Sequence, residues 1–111
     1  MPTPILGELE QVVLLTILRL DGDAFALSVI RELDARAGRR VSRGALYTTV
    51  ERLAAKGLVD WEVEDATPAR GGHPRRRFRV TAPGVAALRL SRDTLHRLWD
   101  GLDGVFGRKR S

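Results

Sequence analysis

Between positions 70 and 79 the chain concentrates Arg70, His73, Arg75, Arg76, Arg77 and Arg79, with no acid among them. Guanidinium groups at this density bind phosphate oxygens, and a protruding loop can carry them into a narrow minor groove where the potential is most negative. A second group of polar side chains lies upstream at Ser42, Arg43, Tyr47, Thr48 and Arg52. If Leu46, Val50 and Leu53 face a core, a 100° helical wheel turns Gly44, Thr48, Glu51, Arg52 and Ala55 outward, with Ala45 and Tyr47 on the flanks. That outer face is small and polar near its start, which suits a DNA major groove. Ser42 and Arg43 sit where helix N–H groups and the helix dipole also favour phosphate.

Both groups have plain alternatives, a solvated helix face and a solvated charge run. A neutral surface usually interleaves signs, whereas here the acids sit together on the preceding segment, at Asp60, Glu62, Glu64 and Asp65. Pairing of some of these across a hairpin with Arg77 or Arg79 leaves Arg75 and Arg76 as the cations expected on DNA. Other chemistries lack their residues. There is no cysteine, His73 and His96 are far apart, and no cluster has metal-ligand spacing. Gly71-Gly72 reads as a hairpin tip, since no strand feeding a phosphate-binding helix surrounds it. The expectation is no catalytic residue, no metal and no cofactor.

The elements that must position these residues follow from periodicity. Thr3-Pro4 reads as a helix start, and Leu6, Leu9, Val13, Ile17 and Leu20 give helical spacing, with Val12, Leu14, Leu15 and Leu18 widening the stripe. Asp21-Gly22-Asp23 ends this helix and can cap a second, whose inner face is Phe25, Val29, Ile30 and Leu33 and whose stop is Gly38. The third helix takes Ser42 as N-cap, a Val41–Leu46 staple, and Gly57 as its stop. Residues 59–64 and 77–81 alternate as strands, and the loop 65–74 makes them a hairpin with a long basic tip. A fourth helix runs from Ala82-Pro83 to about Leu102. Leu88, Leu95 and Leu102 recur every seven residues, with Leu98 and Val105 offset as in a coiled-coil seam. Trp99 shares this seam, as dimer packing or as a stacking plate for a flat ligand.

The order helix, helix, helix, hairpin, helix is a mainly α winged helix-turn-helix with a two-stranded β-hairpin wing and an added C-terminal dimerisation helix. The expected organisation is a DNA-binding unit over 1–81, a dimerisation helix over 82–106 and a basic tail over 107–111. Length and composition agree: 111 residues suffice for one domain, 43% hydrophobic and 30% charged residues read as globular, and a net charge of +5 favours acidic partners. No apolar run is long enough for a membrane span, and the first residues lack the pattern of a signal peptide, so a soluble cytoplasmic protein is expected. The predicted partners are double-stranded DNA and a second copy of the chain. The alternative is a winged-helix protein-interaction module whose basic surface meets an acidic protein.

Three blocks together resemble the PadR family of transcriptional regulators: Leu6-Gly7-Glu8-Leu9-Glu10; Ser42 to Tyr47 continuing through Arg52-Leu53 and Lys56 to Val59; and Gly71-Gly72 followed by Arg75 to Thr81 and Pro83-Gly84. The middle block is the most specific. The resemblance covers about residues 5 to 90 and is nearest the compact branch with one short C-terminal helix. It implies a homodimer that represses genes for detoxification, efflux or stress, often including its own operon. It also implies, for some members, an aromatic or drug-like effector held between subunits beside a tryptophan of the last helix, a region comparable to that of Trp99. One departure is Phe25-Ala26, where the family often has an aromatic residue followed by glycine.

Overall fold

A computed structural model describes residues 5–107. Four helices and one hairpin follow in order: α1 (Glu8–Leu20), α2 (Ala26–Ala37), α3 (Arg43–Ala55), β1 (Val59–Glu64), β2 (Arg75–Val80) and α4 (Ala82–Trp99), with short 3-10 turns at Asp21–Asp23 and Pro68–Arg70. This is the winged helix-turn-helix arrangement with an added C-terminal helix.

The apolar stripes meet in one core. Val13, Leu14 and Ile17 of α1, Val29 and Leu33 of α2, and Leu46, Val50 and Leu53 of α3 are fully buried around Phe78 of β2. Phe78 is the link between helices and wing. Its ring meets Tyr47 and Trp61 edge-on, at centroid distances of 6.3 and 6.2 Å. Its N–H also donates to the Ala24 carbonyl, which sews the free edge of β2 to the segment before α2.

The ends of the elements differ from expectation in instructive ways. α1 begins at Glu8 with Gly7 as N-cap, while Thr3-Pro4 lies outside the described residues. The Glu10 side chain reaches back to accept the Gly7 N–H at 3.1 Å. The Asp21-Gly22-Asp23 turn does not cap α2 through a side chain. Ser28, inside the helix, does so by accepting the Phe25 N–H at 2.9 Å and donating to the Asp23 carbonyl. β2 starts at Arg75, two residues earlier than the alternation suggested, and Thr81 is the N-cap of α4 instead of a strand residue. α4 stops at Trp99, so Leu102 is not on the helix: Asp100 leaves helical geometry and Gly101 has φ +82°. Leu15 and Leu18 of α1 remain exposed and border a groove against α4.

α4 is docked at its start with little clearance. Thr81 Oγ1 accepts the Gly84 N–H at 3.1 Å and donates to the Gly57 carbonyl at 2.6 Å. The Thr81 N–H donates to the Leu58 carbonyl. Gly84 packs so closely that a Cβ there would lie 2.1 Å from the Leu58 oxygen.

Candidate nucleic-acid interface

α3 presents its outer face as the spacing predicts. Ser42 Oγ accepts the Ala45 N–H at 3.0 Å, and Val41 and Leu46 are both buried beside this cap. Arg43, Gly44, Ala45, Thr48, Glu51, Arg52 and Ala55 are exposed, and Tyr47 is half-buried against Phe78. Glycine and alanine with one threonine leave the first turns narrow enough to enter a groove. Arg43 has no carboxylate within ion-pair distance among the described residues, and the same holds for Arg40 just before the Ser42 cap. Sequence reasoning passed over Arg40. Its signal was position, two residues ahead of a helix N-terminus.

The wing is placed beside this face. β1 and β2 pair antiparallel, with Val59 opposite Val80, Trp61 opposite Phe78 and Val63 opposite Arg76. Strand alternation sends Arg76, Phe78 and Val80 to the inner side, and Arg75, Arg77 and Arg79 to the other. A cleft bordered by Tyr47, Glu51, Val63 and Arg76 runs between α3 and the wing. Val63 lines it as an exposed residue and is not part of a buried strand face.

The wing arginines are engaged. Arg77 and Arg79 pair with acids of β1 as expected, Arg77 with Glu64 and Arg79 with Asp60 at 2.7 Å. Arg75 and Arg76, expected to be unpaired, are paired as well. Arg75 bonds Glu64 at 2.9 Å and lies over the Phe25 ring at 3.6 Å. Arg76 bonds Glu51 of α3 at 3.1 Å. The reason is register: with β2 starting at Arg75, Arg75 stands opposite Glu64, and Arg76, opposite Val63 on the inner side, meets Glu51 of α3. At the tip, Arg70 is turned inward to the Asp65 and His73 carbonyls, and His73 is exposed. Exposed pairs of this kind are worth little individually, so a phosphate can displace an acid from an outer arginine at small cost.

Among the described residues no group of three or more His, Cys, Asp and Glu side chains could hold a metal ion. No helix there is long and apolar enough to cross a membrane.

The residues placed on the dimer seam divide. Leu88 is buried in the chain's own core, and Leu95 is half-buried. Leu98 is 63% exposed and Trp99 56% exposed, and Leu102 beyond the helix end is also exposed. Phe106, which sequence reasoning passed over, folds back to a centroid distance of 4.7 Å from Trp99.

A family model described as the transcriptional regulator PadR-like family matches residues 14–90. The chain belongs to that family. This PadR-like protein is 38% identical over 78 residues to the transcriptional regulator Rv3488 of Mycobacterium tuberculosis, covering 70% of this chain and 68% of that one. Its fold is similar to a PadR-like transcription factor from Bacteroides fragilis, with a TM-score of 0.70 and 26% identity over 87% of this chain and 88% of that one. It is also similar to a PadR family regulator from Eggerthella lenta DSM 2243, with a TM-score of 0.67 and 27% identity over 92% and 88%. The matched span runs from the middle of α1 into α4, and so includes all of α3 and the wing. Membership makes this chain a DNA-binding transcriptional regulator.

Proposed function

We propose that this PadR-like regulator is a homodimeric repressor that reads a two-part operator. The observation that carries the proposal is the shared surface of α3 and the wing: an outward helix face of Arg43, Thr48 and Arg52 beside a strand of arginines. Arg43 and Arg40 supply phosphate contacts at the helix start, Thr48 meets base edges, and His73 and Arg75 reach flanking phosphates from the wing. Dimerisation is supported by apolar side chains left in water: Leu15 and Leu18 on α1, and Leu98 and Trp99 on α4. Leu15, Leu18 and Trp99 border one groove, and exposed apolar surface of this kind marks an interaction site. A second copy laid along α4 covers it and sets two recognition helices about one turn of DNA apart. Such a unit on a promoter excludes polymerase, which is the simplest route to repression.

An effector fits the same region. The groove between α1 and α4 has a volume of about 700 Å³ and is bordered by Leu15, Leu18, Leu95 and Trp99. A flat aromatic compound stacked on Trp99 there would couple ligand binding to the spacing of the two DNA-reading surfaces. Trp61 also fluoresces, so the assay is best made in a Trp61→Phe background: an effector quenches emission, and Trp99→Ala abolishes the quenching.

The function is tested by an electrophoretic shift with the DNA upstream of the protein's own gene. A salt-sensitive shift with cooperative two-site occupancy is expected. No shift at modest salt overturns the proposal in favour of a winged-helix protein-interaction module.

A further inference from the structure

Arg76 differs from every other arginine of the wing. Arg75, Arg77 and Arg79 occupy the outer side of β2 and pair with acids of β1, their neighbour in the hairpin. Arg76 occupies the inner side, and its carboxylate partner is Glu51, twenty-five residues earlier on the outer face of α3, at 3.1 Å. The same guanidinium lies 4.7 Å from the Trp61 ring centroid and 5.2 Å from that of Tyr47. One planar cation thus touches an acid and an aromatic ring of the recognition helix and an aromatic ring of the wing. Its side chain is 35% exposed, so these contacts are partly withdrawn from water, where cation–π attraction is strongest.

From this geometry we infer that Arg76 is a positioning residue, a latch that fixes the wing relative to the recognition helix through Glu51, Tyr47 and Trp61, and that it does not serve as a phosphate ligand. The inference rests on the DNA-reading function proposed above and refines it. Phosphate contacts give affinity, whereas base reading needs α3 and the wing held in one relation so that both meet the duplex in register. The latch also explains an acid on a DNA-facing helix. Unpaired, Glu51 repels phosphate; paired with Arg76, its charge is neutralised.

The latch and a phosphate ligand differ in three readouts. Affinity for the selected operator and for a scrambled duplex is measured over a range of salt for the unsubstituted protein, Arg76→Ala, Arg76→Lys, Glu51→Gln and the Glu51→Gln/Arg76→Ala double variant. The latch predicts that the double variant, which removes the ion pair without leaving Glu51 unpaired, loses operator affinity by about tenfold while its affinity for the scrambled duplex and its salt slope stay unchanged. Arg76→Lys fails to rescue, because a compact, strongly hydrated ammonium cannot meet two aromatic rings and a carboxylate at once as the extended guanidinium does. Glu51→Gln frees the arginine, so binding to the scrambled duplex strengthens and its salt slope steepens by about one unit. The double variant is no worse on the operator than Arg76→Ala alone. In the double variant, an equal loss on both duplexes with a slope shallower by about one unit, or full operator affinity in Arg76→Lys, overturns the latch and makes Arg76 a phosphate ligand.

The third readout uses nitrogen-15 spectra of the Arg76 Nε–H. Ring currents from Trp61 and Tyr47 shift this resonance in the free protein, the shift persists in the operator complex, and Glu51→Gln diminishes it. A resonance at its ordinary position, or one that returns there on binding, contradicts the latch. The free-protein spectrum decides the latch even where no duplex is preferred, an outcome that strikes the operator-reading function instead.

Discussion

Arg43 and Arg79 are both exposed arginines of a basic protein, yet they present different charges to a ligand. Arg79 is bonded to Asp60, which raises its pKa further, and its field is largely cancelled. Arg43 stands at the N-terminus of α3 beside unsatisfied backbone N–H groups. Arg43→Ala is therefore expected to weaken binding to all duplexes and lower the salt slope by about one unit, as measured by fluorescence anisotropy across salt. Arg79→Ala should lower it by clearly less. Thr48 is proposed for the other class of contact: Thr48→Ala should reduce operator affinity by several-fold more than affinity for a scrambled duplex, and equal losses would remove Thr48 from base reading. Tyr47 is a poorer probe because its ring packs on Phe78, so its removal also loosens the core.

These distinctions were only partly legible in the sequence. The outer face of α3 was readable because helical period and burial agree at Leu46, Val50 and Leu53. The partners of Arg75 and Arg76 were not. A strand that begins two residues earlier changes which side chains have neighbours, and the Glu51–Arg76 contact joins positions with no local pattern linking them.

At the scale of elements, two docking points hold the reading surface. The first is the start of α4 at Gly84, where the Leu58 carbonyl occupies the space of a side chain. Gly84→Ala forces backbone to move and is expected to destabilise the protein by about 3 kcal/mol, read as a lower urea midpoint. The second is Glu10, which caps α1 and bonds Lys56 at the end of α3 at 2.7 Å. Burial pushes the Glu10 carboxyl up, but the Lys56 hydrogen bond, the Gly7 N–H and the charges of Lys56 and Arg52 outweigh it and hold the carboxyl below its ordinary range. A carboxyl lowered in the folded state adds stability above its unfolded pKa, and that stability is lost as pH falls through the folded value. Unfolding midpoints should therefore fall on acidification below the ordinary carboxylate range, and Lys56→Met should flatten that dependence. An unchanged pH profile in Lys56→Met would remove the pair from the account. The identity of these elements was legible from period, whereas their ends were not. Ser28 caps α2 from within, and the heptad of Leu88, Leu95 and Leu102 continues in the letters after the helix has stopped at Trp99.

For the whole molecule, the unresolved demand is the apolar strip. The helix-turn-helix core and wing close around Phe78 without help, but Leu98 and Trp99 remain in water, with Phe106 lying against one ring. Leu98→Glu leaves the core untouched and should convert a dimer to a monomer in sedimentation, with operator affinity falling by about a hundredfold or more as the two half-sites lose their linkage. A dimer that survives Leu98→Glu would place the interface elsewhere.

The central claim is that two copies of one α3–wing surface read DNA together. Selection of bound duplexes from a random pool tests it most directly. Enrichment of an inverted repeat is expected, with half-sites centred about 10–10.5 base pairs apart, or a multiple of that, and with Leu98→Glu enriching single half-sites weakly. Recovery of no sequence above the input pool, or of one undivided site unaffected by Leu98→Glu, would contradict it.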